Sequence, residues 1–234
     1  MLSEFQNGRT PNPDVICNEL IKFKLFYERA MRSGADFIAT GHYARVGLNS
    51  VVDSANRCLL RARDANKDQT YFLYRMSDAA TTHTLFPVGD MLKSEVKALA
   101  AARGLDVAGK KESMGICFVG EVGMKDFLKE YLSTQPGKIR EIETEKILGY
   151  HDGAVFYTIG QRHGLYLGGG LPFYVVKKDL AANVVYVSKD LNHPALWAEE
   201  LTIEDCHWRN GLTTDQAAKL PDLTVRLRHR APLI

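Results

Sequence analysis

The strongest constraint on the fold lies in residues 18–43. Leu20, Phe23, Phe26, Tyr27 and Ala30 recur at the spacing of one helical face, Asn18 stands at an N-cap position, and Gly34 stands where a C′ glycine belongs. Phe37-Ile38-Ala39-Thr40 is then a short apolar run that ends in Gly41-His42-Tyr43. A helix, a glycine, a buried strand and a glycine at the strand's carboxyl end is the pattern of a parallel α/β sheet. Periodicity predicts further helices at Gln69–Met76, Lys93–Arg103 and Met124–Leu132, and a strand at Cys58-Leu59-Leu60.

The character changes after Gln135-Pro136-Gly137. Short β-type runs follow at Lys138–Ile142, Lys146–Tyr150, Phe173–Val176 and Val184–Ser188, separated by glycine-rich or Asp/Asn turns. A domain boundary is expected near residues 125–136, and another β-type segment from about Leu201. Within it Thr224–Arg230 reads as a strand whose Arg226, Arg228 and Arg230 share one face. Such a face suits a phosphate backbone, although charges that protect a sheet edge follow the same pattern. A parallel sheet that opens on a loop and one strand, and a last strand with nothing after it to pair with, give the expectation of the middle of a longer protein.

Composition excludes several classes. The 234 residues are 45% apolar and 25% charged, the balance of an ordinary globular protein. The longest apolar run, Ala98–Ala102, falls far short of the ~20 residues of a membrane-spanning helix. The opening Met1-Leu2-Ser3-Glu4-Phe5 lacks the pattern of a signal peptide. Thirty basic against 28 acidic residues give a net charge of +2, too even to announce a nucleic-acid partner. Cys17, Cys58, Cys117 and Cys206 form no CxxC pair and no zinc-ligand spacing, so no metal is expected, and scattered thiols read as cytoplasmic.

Two segments concentrate chemistry. Pro11-Asn12-Pro13-Asp14-Val15-Ile16-Cys17-Asn18 sets a carboxylate three residues before a thiol on a stiffened loop, just ahead of the expected helix N-terminus, where the dipole favours thiolate. Lys110-Lys111-Glu112-Ser113-Met114-Gly115-Ile116-Cys117-Phe118-Val119-Gly120 sets a thiol near two lysines, with glycines that leave room for a substrate. The plain alternatives are a proline-rich turn and a buried cysteine. Cys58 and Cys206 lie in β-type runs without such features and read as inert. Gly41-His42 lies where open α/β sheets bind ligands, and Lys67-Asp68-Gln69 offers a cation, a carboxylate and an amide ahead of a helix.

In order along the chain, Gly8-x-Thr10-Pro11-Asn12-Pro13-Asp14-x-x-Cys17-Asn18-x-x-Ile21-Lys22-Phe23, Ala39-Thr40-Gly41-His42-Tyr43-Ala44-Arg45, Lys67-Asp68-Gln69, Ser113-x-Gly115-Ile116-Cys117-Phe118, Tyr157-Thr158-Ile159-Gly160-Gln161-Arg162 and Tyr174-Val175-Val176 resemble the tRNA-specific 2-thiouridylases. The resemblance covers essentially the whole chain, and the two cysteine motifs together are highly specific. It implies a PP-loop (adenine nucleotide α-hydrolase-like) α/β domain, a small central domain and a partial C-terminal β-barrel, divided at 1–125, 126–198 and 199–234.

The implied activity is ATP-dependent transfer of persulfide sulfur to the 2-position of a tRNA wobble uridine. The expected cofactor is ATP with Mg²⁺, and the expected partners are tRNA and a relay protein that donates the persulfide. The protein is expected to be cytoplasmic, monomeric and without a membrane. By resemblance Cys117 carries the persulfide, Cys17 is the partner thiol and Asp14 the acid/base. Asn12 and Pro13 line the target base, and Gly41 touches the nucleotide. His42, Lys67, Asp68 and Gln69 contact tRNA, with Arg228 and His229 matching a further tRNA contact. No segment matches the glycine- and serine-rich loop that opens the family's ATP site, nor the end of its barrel.

The chemistry itself asks for two thiols. Persulfide sulfur is two electrons more oxidised than thiocarbonyl sulfur, and a disulfide closing between carrier and partner supplies the difference. The two Cα atoms are therefore expected within roughly 7 Å in at least one state, with Cys117 more exposed than Cys58. A binding module without catalysis, or another PP-loop ligase or amidotransferase, would not need both cysteines.

Overall fold

The computed structural model describes residues 1–49, 54–109, 123–168 and 170–234. Two units emerge. Asn12–Glu112 with Asp205–Ile234 forms the unit that holds most of the expected site, and Met1–Pro11 with Ser113–Glu204 forms a strand-rich unit.

In the site-bearing unit a long helix starts at Pro13, five residues before the predicted cap. It is α-helical at Pro13–Ile16, π-helical at Cys17–Phe26 and α-helical again at Tyr27–Arg32. Asn12 is its cap: proline fits the first helical position because it has no N–H to leave unsatisfied. Asn18 is instead interior to the helix, 3% exposed, and donates its side-chain amide to the Phe72 carbonyl at 3.1 Å. The π-helix also redraws the buried face. Asn18 and Phe23, five apart, are buried, whereas Leu20 and Phe26 of the predicted face are exposed. A hydrogen bond that spans five residues widens the turn and moves the inward positions with it.

Gly34, at φ +88°, ends the helix as expected, and the chain enters β1 (Ile38–Ala39). Strands β2 (Ala44–Asn49) and β3 (Ser54–Arg61) form an antiparallel pair, and β1 lies parallel to β4 (Thr84–Leu85), with Ile38 opposite Thr84. Phe23, Ile38, Ala44, Leu73, Met76 and Ala80 build the core. Gly89 is required here, since a Cβ would lie 1.8 Å from the Ala44 carbonyl oxygen. Short helices Asp78–Thr82 and Lys93–Ala102 complete this half, the latter as predicted.

Two expectations fail because the backbone closes local turns there. Gln69–Met76 is not a helix beyond the 3₁₀ turn Thr70–Phe72, because Phe72, Leu73 and Met76 each bond three residues back in successive tight turns. Thr224–Arg230 is not a strand: Val225 and Ile234 exchange both backbone hydrogen bonds, at 2.8 and 3.1 Å, so the segment folds back on itself. Arg230, at φ +66°, breaks the alternation that would have put three guanidiniums on one face. Among the described residues, 201–234 hold one helix, Thr214–Ala217, and no strand.

The strand-rich unit follows its sequence closely. Strands β5 (Gly137–Glu141), β6 (Ile147–His151), β7 (Tyr174–Asp179) and β8 (Val184–Ser188) form one sheet in the order β6-β5-β8-β7. The β5–β8 pair is parallel and the outer pairs are antiparallel. Ile139, Val175, Val185 and Val187 are fully buried. Helices Leu2–Gln6 and Met124–Lys129 contribute to a second cluster of Phe5, Leu128 and Leu132. The Lys178 ammonium donates to the carbonyls of Gly8 at 2.7 Å and Tyr157 at 2.6 Å, tying the opening segment to the sheet.

Candidate functional site

The proline-rich segment becomes a helix start. Asn12 is extended (φ −106°, ψ 92°), as a residue before proline should be, and its Oδ1 accepts the Val15 N–H at 3.4 Å. Asp14 stands in the first turn, and Cys17 three residues later falls on the same helical face. The expectation that Cys17 precedes the helix is corrected: it lies beyond the first turn. The positive end of the helix acts over that first turn, so it bears on Asp14 rather than on the thiol. Cys17 is half-buried.

Gly41 and His42 follow β1 at its carboxyl end, in the same unit. A Cβ at Gly41 would meet nothing within 4 Å, so the backbone is open to close approach there. His42 is held on two sides, Nδ1 at 2.8 Å from Thr40 Oγ1 and Nε2 at 3.5 Å from Lys22 Nζ. An ammonium only donates, so Nε2 is the acceptor and Nδ1 carries the proton toward Thr40. Phe23 and Phe86 pack on the ring at centroid distances of 5.7 and 6.3 Å. Burial, with the Lys22 charge adding to it, lowers the His42 pKa to about 4. The imidazole is therefore neutral at physiological pH. Sequence reasoning missed Lys22 as a partner, although it stood inside the quoted motif; nothing local to it marks a contact twenty residues away.

The 67–69 segment is a polar lock. Asp68 is 3% exposed. Its Oδ1 accepts from the Ala62 N–H at 3.3 Å, the Thr70 N–H at 3.2 Å and the Thr70 hydroxyl at 2.9 Å, and its Oδ2 meets Arg226 at 3.3 Å. Gln69 Oε1 accepts the Tyr43 N–H at 2.9 Å while the Gln69 N–H donates to the Tyr43 carbonyl, also at 2.9 Å. Lys67 is half-buried beside them. In this structure the Asp68 carboxylate and the Gln69 amide oxygen are engaged by the protein's own donors.

The closing segment of the chain packs on this lock. Tyr71 donates its hydroxyl to the Leu227 carbonyl at 3.1 Å, and the His229 ring lies 4.6 Å from that of Phe72. Burial lowers the His229 pKa, and the Arg230 charge acts in the same direction. Arg228 is exposed. Upstream, Arg209 donates to the Met76 carbonyl at 2.9 Å and to the Thr81 hydroxyl, and Asn210 donates its amide to Cys58 Sγ at 2.9 Å. Cys58 is buried and Cys206 exposed. Arg226, read from the sequence as part of a phosphate-facing arginine row, turns instead to Asp68, and Asn210, which had no assigned part, reaches Cys58.

Cys117 and its flanking Lys110–Gly120 lie outside the described residues, and with them the expected Cys17–Cys117 proximity and the exposure ranking of the thiols. No group of three His, Cys, Asp or Glu gathers to hold a metal ion among the described residues.

Comparison with known proteins adds an independent line. The family described as tRNA methyl transferase HUP domain matches residues 1–121, and that described as tRNA methyl transferase PRC-barrel domain matches residues 125–189. A tRNA-specific 2-thiouridylase MnmA of Listeria welshimeri is 48% identical over 230 residues, 98% of this chain and 60% of the relative. The corresponding protein of Levilactobacillus brevis is 47% identical over 234 residues, and a tRNA-specific 2-thiouridylase MnmA 2 of Geobacillus kaustophilus is 46% identical over 233. The chain spans about 60% of the length of these curated relatives.

Proposed function

Because the chain belongs to the tRNA methyl transferase HUP-domain family and to the tRNA-specific 2-thiouridylases within it, we propose that it acts in replacing the 2-oxygen of a tRNA wobble uridine with sulfur. The observation that carries this reading is the helix start at Asn12-Pro13-Asp14, with Cys17 one turn along the same face. A base-recognising amide, a carboxylate and a thiol on one short stretch of rigid backbone are the groups the reaction needs.

Each residue has a role in this reading. Asn12 uses its side-chain oxygen as the cap, which leaves its amide hydrogens to meet the target uracil beside the apolar Pro13 ring. Asp14 moves a proton at the base or at the Cys17 thiol. Cys117 carries the persulfide delivered by a relay protein, and its outer sulfur goes to the base. Cys17 closes a disulfide with Cys117, which supplies the two electrons that convert persulfide sulfur to thiocarbonyl sulfur. His42, neutral and with both ring nitrogens engaged by Thr40 and Lys22, contributes its fixed ring, and Lys67 and Arg228 offer charge to phosphates. Asp68, Gln69 and His229 shape the same surface.

ATP supplies the activation that makes the 2-oxygen a leaving group. Gly41 fits a nucleotide's close approach, but a phosphate loop has no counterpart in this sequence, so no step here is routed through ATP or Mg²⁺. The division at 1–125, 126–198 and 199–234, a monomeric state and a cytoplasmic location belong to the same reading. No helix among the described residues is long and apolar enough to cross a membrane.

The test is single-turnover thiolation of a tRNA transcript by the complete enzyme loaded with persulfide, read by mass analysis of the digested RNA. Asp14→Asn is expected to slow the chemical step by ~10²–10⁴-fold at nearly unchanged tRNA affinity, and Cys17→Ser to stop sulfur release. Parent-like thiolation by both variants would overturn the reading.

A further inference from the structure

Tyr166 is the most exposed large hydrophobic residue among the described residues, at 93%, and its backbone is left-handed, with φ +52°. Such a conformation costs a residue with a Cβ free energy that glycine avoids. The surrounding loop uses glycine freely, at Gly164, Gly168 and Gly170, two of them also at positive φ. A tyrosine at this position is therefore not the choice that stability favours.

The loop is built to hold the ring outward. Leu165, on one side, is buried in the sheet's core, and Leu167, on the other, packs against it. Before them the loop is tied to the sheet: Gly160 N–H donates to Val175 O at 2.7 Å, Val175 N–H to Gln161 O at 2.9 Å, and Gln161 Nε2 to His163 O at 2.8 Å. Strained backbone persists where its neighbours fix it in this way, and it recurs at binding sites. Arg162 and His163 are exposed on the same loop, and Lys125, which itself spans to Asp152 at 2.9 Å, lies within electrostatic reach of the Tyr166 hydroxyl. A solvent-facing aromatic ring on a loop that also carries Arg162 is the chemistry that receives an unpaired nucleobase over its face and an adjoining phosphate nearby.

We propose that Tyr166, with Arg162 and His163 exposed on the same loop, is a stacking platform for an unpaired base of the RNA substrate. The proposal rests on the tRNA reading above and adds a contact at a distance in sequence from every residue assigned there. It accounts for the exposed ring, the strained backbone and the exposed Arg162 on the same loop together.

The experiment is a binding titration of the full chain with a fluorescent, unmodified tRNA transcript at several salt concentrations, with thermal unfolding measured alongside. Tyr166→Ala is expected to weaken binding by about 5- to 150-fold, the loss of one base–aromatic stack, with the salt dependence unchanged. Tyr166→Phe is expected to bind like the parent. Arg162→Ala should instead flatten the salt dependence, by ~0.7–0.9 in log–log slope for one lost phosphate contact. Tyr166→Gly relieves the backbone, so it should lose binding while raising Tm by about 2–4 °C. If the alanine and glycine variants bind as tightly as the parent, the platform is wrong and the tRNA reading stands. If the parent chain itself binds no tRNA, both fall. If the variants alter only self-association in sedimentation, the surface contacts protein and the proposal is overturned.

Discussion

The strand-rich unit and the site-bearing unit are held together by different physics. The first buries Ile139, Val175, Val185 and Val187 on a four-stranded sheet whose ladder supplies the backbone hydrogen bonds. Among the described residues the second pairs its strands only two at a time and, beside its apolar core, buries Asn18, Asp68, Thr81 and Thr84, against His151 and Ser188 in the first. Asn18 reaches the Phe72 carbonyl, Asp68 the Ala62 and Thr70 amides, and Thr84 the Ala80 carbonyl. Apolar burial is non-directional and tolerates small shifts. A buried carboxylate or amide stabilises only the geometry that satisfies it. The loops that carry Gly41, His42 and Gln69 are positioned by bonds of the second kind, which fix direction as well as distance.

The largest expected effect tests the aliphatic half of this contrast. Ile139→Ala should cost about 2–5 kcal/mol, with hydrogen exchange rising in peptides from β5, β6 and β8 and little change near Tyr43. Exchange that rises equally in both units would break the comparison, because the units would then unfold as one. Next comes the polar lock. Asp68→Asn keeps the shape but loses the charge that faces Arg226, and should cost about 1.5–3 kcal/mol, with faster exchange at Tyr43, Thr70 and Val225. A variant as stable as the parent would show that the carboxylate is retained for something other than the fold.

The last effect reads the site-bearing unit by pH. The folded pKa of His42, about 4, lies below its ordinary 6.5, so the unfolded state takes up the proton first. The stability that His42 contributes is complete above pH 6.5 and is lost as pH falls toward 4, by up to ~1.4 kcal/mol per pH unit. Denaturant midpoints at pH 7 and 5 should show this loss in the parent and a smaller one in His42→Phe. An identical slope in the two proteins would place the sensitivity elsewhere.

What sequence made legible follows the same division. Alternating apolar runs separated by turns placed all four strands of the larger sheet, because the period of a strand is a local property and its core is aliphatic. The parallel setting of β1 was foreshadowed by the glycine on each side of Phe37–Thr40, whereas its partner β4, two residues long, left no pattern to read. The helix cap was misplaced at Asn18 because both asparagines suit the role and only Pro13 at the first position distinguishes Asn12. The arginine alternation at 226–230 read as a strand face, yet Asp68 draws Arg226 inward and Val225 pairs with Ile234. No pattern near Asp68 announces a partner 158 residues away. The candidate residues were visible as chemical types; which of them face solvent and which serve as locks was set by tertiary contacts.

The π-helical stretch bears on how sequences of this family should be aligned. Each hydrogen bond there encloses one residue more than in an α-helix. A sequence one residue shorter between Cys17 and Phe26 could tighten a turn to α-geometry and still present the Asn12 cap and the Tyr27–Arg32 turns. A single-residue gap in this window is thus compatible with an intact helix start, whereas a gap between Asn12 and Cys17 would rotate the thiol off the face it shares with Asp14.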